Sequence, residues 1–204
     1  MRQKTILVIL IFFVGMIGFS FKNTTNSEVY ELAYHSKING LNDSLQQLLT
    51  LAGKANLESE SEIKVLQSAI LNARIKLKNA DFWLRYLEPI AYKKINGPLP
   101  VEWETEVFEK FEKPYKREGA GLTLAALYLE EDNISNDSLS ALIQLSVDAL
   151  KIFSEDSITK ELKTFSSFYF SNRLHLLNLA SIYSTGFECP DTDAILPELI
   201  AMMQ

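Results

Sequence analysis

The chain has 204 residues, 47% of them hydrophobic, and a formal net charge of −6 from 20 basic and 26 acidic residues. This length suits a single domain with one core, and the acidic balance argues against a nucleic-acid partner. The one cysteine, Cys189, excludes an intrachain disulfide. It also excludes covalent c-type haem in this chain, because that attachment needs two cysteines followed by a histidine.

The N-terminus has the pattern of an export signal. Arg2 and Lys4 precede an uncharged, apolar run from Ile6 to Phe21, which matches the basic and hydrophobic regions of a signal peptide. Small residues at the two positions that a signal peptidase reads predict cleavage after Ser20. An uncleaved membrane anchor is the alternative, because a run of roughly 16 apolar residues is near the lower limit for a membrane span.

Cleavage would divide the chain into a signal peptide, 1–20, and one mature domain, 21–204. The mature domain loses two cations, so its formal charge changes from −6 to −8. We therefore expect a periplasmic protein, or a domain anchored in the inner membrane and facing the periplasm if the signal remains.

Apolar spacing predicts two long helices in the first half of the mature domain. The first runs from Ser27 to Ala52. The second begins at a capping box formed by Ser59 and Glu62, and Pro89 ends or distorts it because proline lacks an amide hydrogen. Its apolar or small residues recur at intervals of three and four, which favours packing in a bundle: Ile63, Leu66, Ile70, Ala73, Leu77, Ala80, Leu84 and Leu87.

Four further helices are predicted in the second half, at 122–130, 139–153, 159–183 and 193–202. An acidic, solvated loop at 130–137 separates the first two, and Ser135 or Asn136 caps the second of them. Gly186 ends the long third helix, and Pro197 bends or starts the last. Six helices with short connections predict an all-α, single-domain bundle.

Two clusters of side chains have alternative interpretations. Arg74, Lys76 and Lys78 flank the apolar stripe of the second helix, which predicts a solvated edge; the alternative is a cationic rim that faces an acidic partner or an anion. The aromatic run Phe165–Arg173 is expected to lie in the core, and an exposed aromatic platform for a partner is its alternative.

Motifs for catalysis and metal binding are absent from the sequence. His35 and His175 have neither a carboxylate nor a second histidine at ligand spacing, and neither a P-loop nor a dinucleotide fingerprint is present. We therefore predict no catalytic, cofactor-binding or metal-binding residues in this chain.

Two segments resemble a known family. The run 73–104 matches a pattern of Ala-Arg, a lysine four residues on, an aromatic-rich helix, a proline, basic residues and Asn-Gly-Pro-x-Pro. This pattern resembles the N-terminal, imelysin-like helical region of bacterial periplasmic di-haem cytochrome c peroxidases. The segment 168–199 is similar to the end of that region. The matching positions in the first segment are Ala73, Arg74, Lys78, Phe82, Tyr86, Pro89, Lys93, Lys94, Asn96, Gly97, Pro98 and Pro100.

Imelysin-like proteins carry Gly-x-His-x-x-Glu at a helix entrance, proposed as a metal or functional site. Aligned on Gly121, this chain has Thr123 in place of the histidine and Ala126 in place of the glutamate. What remains is Glu118, a carboxylate near a helix N-terminus, and the glycine. We interpret this turn as a structural remnant of the motif.

The resemblance implies a non-catalytic, exported helical module that is an accessory or binding partner of a di-haem peroxidase or another electron-transfer protein, with haem only in the partner. Arg74, Lys78, Glu118 and Gly121 are its candidate surface or motif residues. One alternative is the N-terminal portion of a longer peroxidase, which the genomic sequence beyond Gln204 would test. A second alternative is an imelysin-like protein that binds iron or another metal through Glu118 and a neighbouring carboxylate.

Overall fold

The computed structural model describes residues 25–97, 101–103, 115–117, 119–186, 189 and 191–204. The predicted signal peptide, 1–20, and the candidate residue Glu118 lie outside these ranges. Within them the chain forms eight α-helices: α1 Thr25–Ala52, α2 Glu60–Leu87, α3 Pro89–Ile95, α4 Gly121–Tyr128, α5 Asn136–Leu150, α6 Asp156–Leu162, α7 Phe165–Asn178 and α8 Ile195–Met202. The predicted all-α fold is confirmed.

The helix α2 is the centre of the bundle and packs against α1, α7 and α8. It starts after Ser59, as predicted, although the Ser59 side chain makes no capping hydrogen bond. The Glu62 carboxylate instead accepts a hydrogen bond from the backbone amide of Asn56 at 2.7 Å. Pro89 separates α2 from α3 and takes the first position of α3, where its missing amide hydrogen costs no helical hydrogen bond.

The core consists mainly of leucine, isoleucine and alanine side chains that α1, α2, α3, α4 and α5 contribute. Leu41, Leu45 and Leu48 of α1 are completely buried and repeat at helical intervals, as do Leu77 and Leu84 of α2. This arrangement follows from the three-and-four spacing in the sequence, because such positions lie on one side of a helix.

The longest helix predicted in the second half is interrupted in the structure. The predicted helix 159–183 is two helices, α6 and α7, followed by a π-helical turn at Leu179–Tyr183. The interruption falls at Lys163–Thr164, where Thr164 Oγ1 accepts a hydrogen bond from the amide of Ser167 at 3.1 Å and caps α7. Ser135 caps α5 in the same way, and Gly186 has the left-handed φ of +69° predicted for a helix end.

Two further details were not predicted. Residues Val101–Trp103 and Tyr115–Arg117 form two short antiparallel strands, with Glu102 opposite Lys116. The last helix, α8, continues through Pro197, which lies in the first turn, where amide groups have no partner within the helix.

The expectation that the aromatic run Phe165–Arg173 lies in the core is wrong. Phe165 is 81% exposed and Tyr169 is 56% exposed, whereas Ser167 and Ser171 are buried. The helix α7 thus buries small polar residues and exposes Phe165 and Tyr169, while Phe168 and Phe170 are partly exposed and lie against Phe82 and Tyr86 of α2.

Candidate functional site: a buried polar stripe on α2

Four charged side chains form a stripe along α2. Arg74, Lys78, Asp81 and Arg85 are separated by four, three and four residues, so they share one side of the helix. The first three are each 2% exposed, and the Arg85 side chain is 16% exposed. We call these four residues the polar stripe. Charged groups this deeply buried need partners, because transfer of an unpaired charge out of water is costly.

Arg74 binds the C-terminal helix. Its Nε donates to Glu198 Oε1 at 2.5 Å and its Nη2 donates to Glu198 Oε2 at 3.1 Å. The guanidinium thus binds the carboxylate through two parallel hydrogen bonds. Its Nη1 donates to Thr123 Oγ1 at 2.8 Å and lies 3.5 Å from Asn96 Oδ1. One side chain therefore connects α2 to α8, to α4 and to the end of α3.

Asp81 is the centre of a second group. Its carboxylate accepts hydrogen bonds from the hydroxyls of Tyr92 and Tyr183, and Arg85 Nε approaches Oδ2 at 3.4 Å. Burial raises the pKa of Asp81, but the charges of Lys78 and Arg85 and the two hydroxyl donors outweigh burial, so the pKa lies below its usual value. Asp81 therefore remains ionised at neutral pH and holds α3 and the π-helical turn against α2.

The aromatic rings of the same two tyrosines cover the neighbouring cations. Lys78 Nζ lies 5.0 Å from the centre of the Tyr183 ring. The Arg85 guanidinium lies 4.4 Å from the Tyr92 ring and 5.2 Å from the Tyr183 ring. These distances are within the range of cation–π attraction.

The prediction that Arg74 and Lys78 lie on a solvated edge, or form a cationic rim for a partner, is therefore wrong. Both side chains are in the interior, where Arg74 is paired with Glu198 and Lys78 lies against Tyr183 and beside Asp81. Only Lys76, the third member of that set, is exposed.

Two glycines bring the ends of α3 and α4 into contact. Gly97 has φ +70° and Gly121 has φ +60°. A Cβ atom on Gly97 would lie 1.7 Å from the Ala120 carbonyl oxygen, and one on Gly121 would lie 2.0 Å from the Ile95 oxygen. Only glycine fits both the backbone conformation and the space. The crossing also positions Thr123, whose amide donates to the Asn96 oxygen at 3.1 Å.

Gly121 is thus part of a backbone crossing that carries Thr123 to the guanidinium of Arg74. Thr123 is completely buried there. Ala126 lines a cavity of about 190 Å³ together with Arg74, Gln67, Glu130 and Asp191.

Other candidate groups do not meet at this site. Cys189 donates to the Asp191 carbonyl oxygen at 3.0 Å, and burial, with the nearby Glu198 carboxylate, raises the pKa of its thiol. His175 lies in an aromatic environment, 5.8 Å from the ring of Phe82. In the part of the chain that the structure describes, no three histidine, cysteine, aspartate or glutamate side chains are placed to share a metal ion.

Comparison with known proteins gave no relatives: neither a family model, nor a curated protein, nor a solved structure matches this chain.

Most of the polar stripe was missed from the sequence, yet a signal for it is present. Each of its members follows directly after a member of the apolar stripe: Ala73, Leu77, Ala80 and Leu84 precede Arg74, Lys78, Asp81 and Arg85. Charged residues that repeat in phase with a buried stripe lie beside it and are candidates for burial. Their partners Glu198, Thr123 and Tyr183 are distant in sequence, so spacing does not reveal them.

Proposed function

We propose that this protein is an exported, non-catalytic helical module that binds a di-haem cytochrome c peroxidase or a related electron-transfer protein as an accessory partner. The haem belongs to the partner. The observation that carries the proposal is that the two segments with the family resemblance, 73–104 and 168–199, pack together through side chains that each of them supplies.

Three contacts join these segments. Arg74 pairs with Glu198, Asp81 accepts a hydrogen bond from Tyr183, and Lys78 lies over the Tyr183 ring. Arg74, Lys78 and Asn96 are among the positions that match the peroxidase-linked pattern. If this chain shares the fold of that helical region, the positions that match its pattern should pack together in the core. The contacts of Arg74, Lys78 and Asn96 agree with this and support descent from that region.

The charges of the polar stripe have a structural role. Arg74, Asp81 and Arg85 are held in hydrogen bonds to other protein groups, which is a structural use for each of them. A contact through Arg74 and Lys78 is ruled out by their burial, so the partner must bind elsewhere.

We assign the partner contact to an acidic surface at the mouth of the 190 Å³ cavity. Glu130 and Asp191 line that cavity from the turn after α4 and from the segment before α8, so the two segments are neighbours. We call the exposed carboxylates of both segments the acidic rim: Glu130, Glu131, Asp132, Asp191 and Asp193. A surface of this kind, on a chain of net charge −6, attracts a positively charged surface and does so less strongly in high salt.

Capture from native periplasmic extract tests the proposal. The full chain with an affinity tag is the bait, and the eluate is scored by haem staining and mass spectrometry. We expect a haem-positive electron-transfer protein, and we expect the double reversal Glu130→Lys, Glu131→Lys to reduce its capture. The variant Glu155→Lys, Asp156→Lys is the matched control, because it changes the net charge equally at two exposed positions where α6 begins. An eluate without haem protein refutes the proposal, and equal loss in both variants refutes the assignment to the acidic rim.

A further inference from the structure

The helix α7 has the reverse of the usual amphipathic pattern. Its buried positions are Ser167, Ser171 and Asn178, whereas its large apolar side chains are exposed. We call the exposed set the aromatic face: Phe165, Phe168, Tyr169, Phe170, Leu176 and Leu177. Single exposed apolar residues are common, but Phe165, Tyr169 and Leu176 lie on one side of the helix and form a patch that indicates an interaction site.

The buried side of α7 adds to this argument. Among the described residues, Ser171 Oγ, His175 Nδ1 and Asn178 Nδ2 are buried without a hydrogen-bond partner. Burying unpaired polar atoms costs free energy, and phenylalanine and leucine side chains in water do not recover it, so this orientation is unfavourable for a helix that faces only water. This orientation is favourable when the exposed side is covered by an apolar medium.

The charge of the segment indicates which medium covers it. Residues 162–187 contain no aspartate or glutamate, although the chain as a whole is acidic, and they contain Lys163 and Arg173. Arg173 is exposed on α7 itself. Lys163 pairs with Glu31 of α1 at 2.9 Å, which leaves Arg173 as the exposed cation on α7. Aromatic side chains beside a cation, without acids, suit the headgroup region of an anionic lipid bilayer.

The position of α7 agrees with this assignment. Its start lies beside the first turns of α1, where Lys163 Nζ is 2.9 Å from Glu31 Oε2 and the Phe168 ring is 5.5 Å from the Tyr30 ring. The apolar run Ile6–Phe21 ends four residues before α1. Four residues span at most about 14 Å, and the five from Thr25 to Tyr30 add about 8 Å of helix. If the run is retained as a membrane anchor, which is the alternative to cleavage after Ser20, it would hold the start of α7 close to the lipid surface.

We propose that α7 lies flat on the surface of an anionic phospholipid bilayer, with Phe165, Tyr169 and Leu176 inserted among the headgroups and upper acyl chains. These three residues lie within a narrow arc on the side of α7 opposite Ser167 and Ser171, given 3.6 residues per turn. At 14 residues α7 is about 21 Å long, too short to cross the hydrocarbon core. In the described ranges, none of the helices has the length and apolar character of a membrane span.

Quenching by brominated lipid tests the proposal. The full chain carrying Phe165→Trp is reconstituted into vesicles of equal parts phosphatidylglycerol and phosphatidylcholine, with and without bromine on the upper acyl chains. The wild-type chain, with Trp83 and Trp103, gives the background. We expect the new tryptophan to lose about half of its fluorescence, because side chains of an interfacial helix reach about 5–10 Å into the boundary where the bromines lie.

Leu145→Trp is the matched control, because Leu145 is an exposed apolar residue on α5 with 59% exposure. We expect bromine to leave its fluorescence unchanged, which separates contact by α7 from simple attachment of the chain to the vesicle. Equal quenching at both positions, or none at Phe165→Trp, overturns the proposal. If Phe165→Trp is unquenched and the chain sediments as a dimer, a second copy covers the aromatic face instead.

Discussion

Removing one partner of the ion pair between Arg74 and Glu198 should strongly destabilise the fold. Glu198→Gln keeps the shape of the side chain but removes the charge that Arg74 binds through two hydrogen bonds at 2.5 and 3.1 Å. Both side chains are almost fully buried, so the variant leaves a guanidinium in the interior without its counter-charge. Removing one partner of a buried pair costs about 3–5 kcal/mol, which is a large fraction of the 5–15 kcal/mol by which domains are typically stable.

Urea unfolding measures this loss, and the chain supplies its own control. Lys64 and Glu60 form an ion pair at 2.7 Å whose side chains are 69% and 83% exposed. Because exposed pairs contribute about 0–1 kcal/mol, Glu60→Gln should barely change the unfolding midpoint. A double variant, Arg74→Met with Glu198→Leu, should cost less than Glu198→Gln alone, because no unpaired charge remains. If Glu198→Gln is no more destabilising than Glu60→Gln, the assignment of the pair as a structural clamp is wrong.

Three further predictions concern single positions. Gly121→Ala should destabilise the fold by at least about 1–3 kcal/mol from backbone strain alone, and its Cβ would also meet the Ile95 oxygen. Gly40→Ala, in α1 with nothing within 4 Å of the added Cβ, should stabilise the fold by about 0.5–1 kcal/mol. Thermal melts in which both variants shift the melting temperature in the same direction would contradict this. Burial lowers the pKa of His175, so the fold favours its neutral form and the free energy of unfolding should fall as the pH drops below about 6.5. In urea unfolding, His175→Gln should weaken this pH dependence. An equal effect of His35→Gln would refute the assignment to His175. The pKa of Asp81 is lowered in the folded state, so its contribution to stability is complete above about pH 4 and is lost as the pH falls further. Acid unfolding of Asp81→Asn should therefore lack the loss of stability that Asp81 causes. An acid transition identical to that of the wild type would exclude this role of Asp81.

The helix ends were predictable where local chemistry sets them. Ser135 as a cap, Pro89 at the end of α2 and Gly186 after the π-helical turn follow from hydrogen-bonding and backbone rules that act over a few residues. The break at Thr164 was missed because apolar spacing continues across it. Thr164 caps α7 through its side chain, a signal of the same kind as at Ser135.

The polar stripe was misassigned because charged residues are buried rarely and only with partners. The partner of Arg74 is 124 residues away in sequence, and the Tyr183 partner of Asp81 is 102 residues away. One sequence does not show such pairings. The sequence signal for burial was the repeat of charged residues directly after the residues of the apolar stripe.

The aromatic face was misassigned for a different reason. Aromatic residues at helical spacing are usually core residues, because burial of their large surface is favourable. On α7 they occupy almost every direction except the one that carries Ser167 and Ser171, so spacing alone did not identify the buried side. The choice between the two sides is made by close packing of small residues against α2, which is a property of the folded chain.

The haem content of the protein that the chain captures from native periplasmic extract tests the central claim most directly. Absorbance of the haem band in the eluate, divided by the amount of bait, gives one number for the wild-type chain and one for Glu130→Lys, Glu131→Lys. The proposed accessory role predicts a haem signal that decreases with added salt and with the charge reversal. No haem above that of an untagged control, at low as well as high salt, would contradict it.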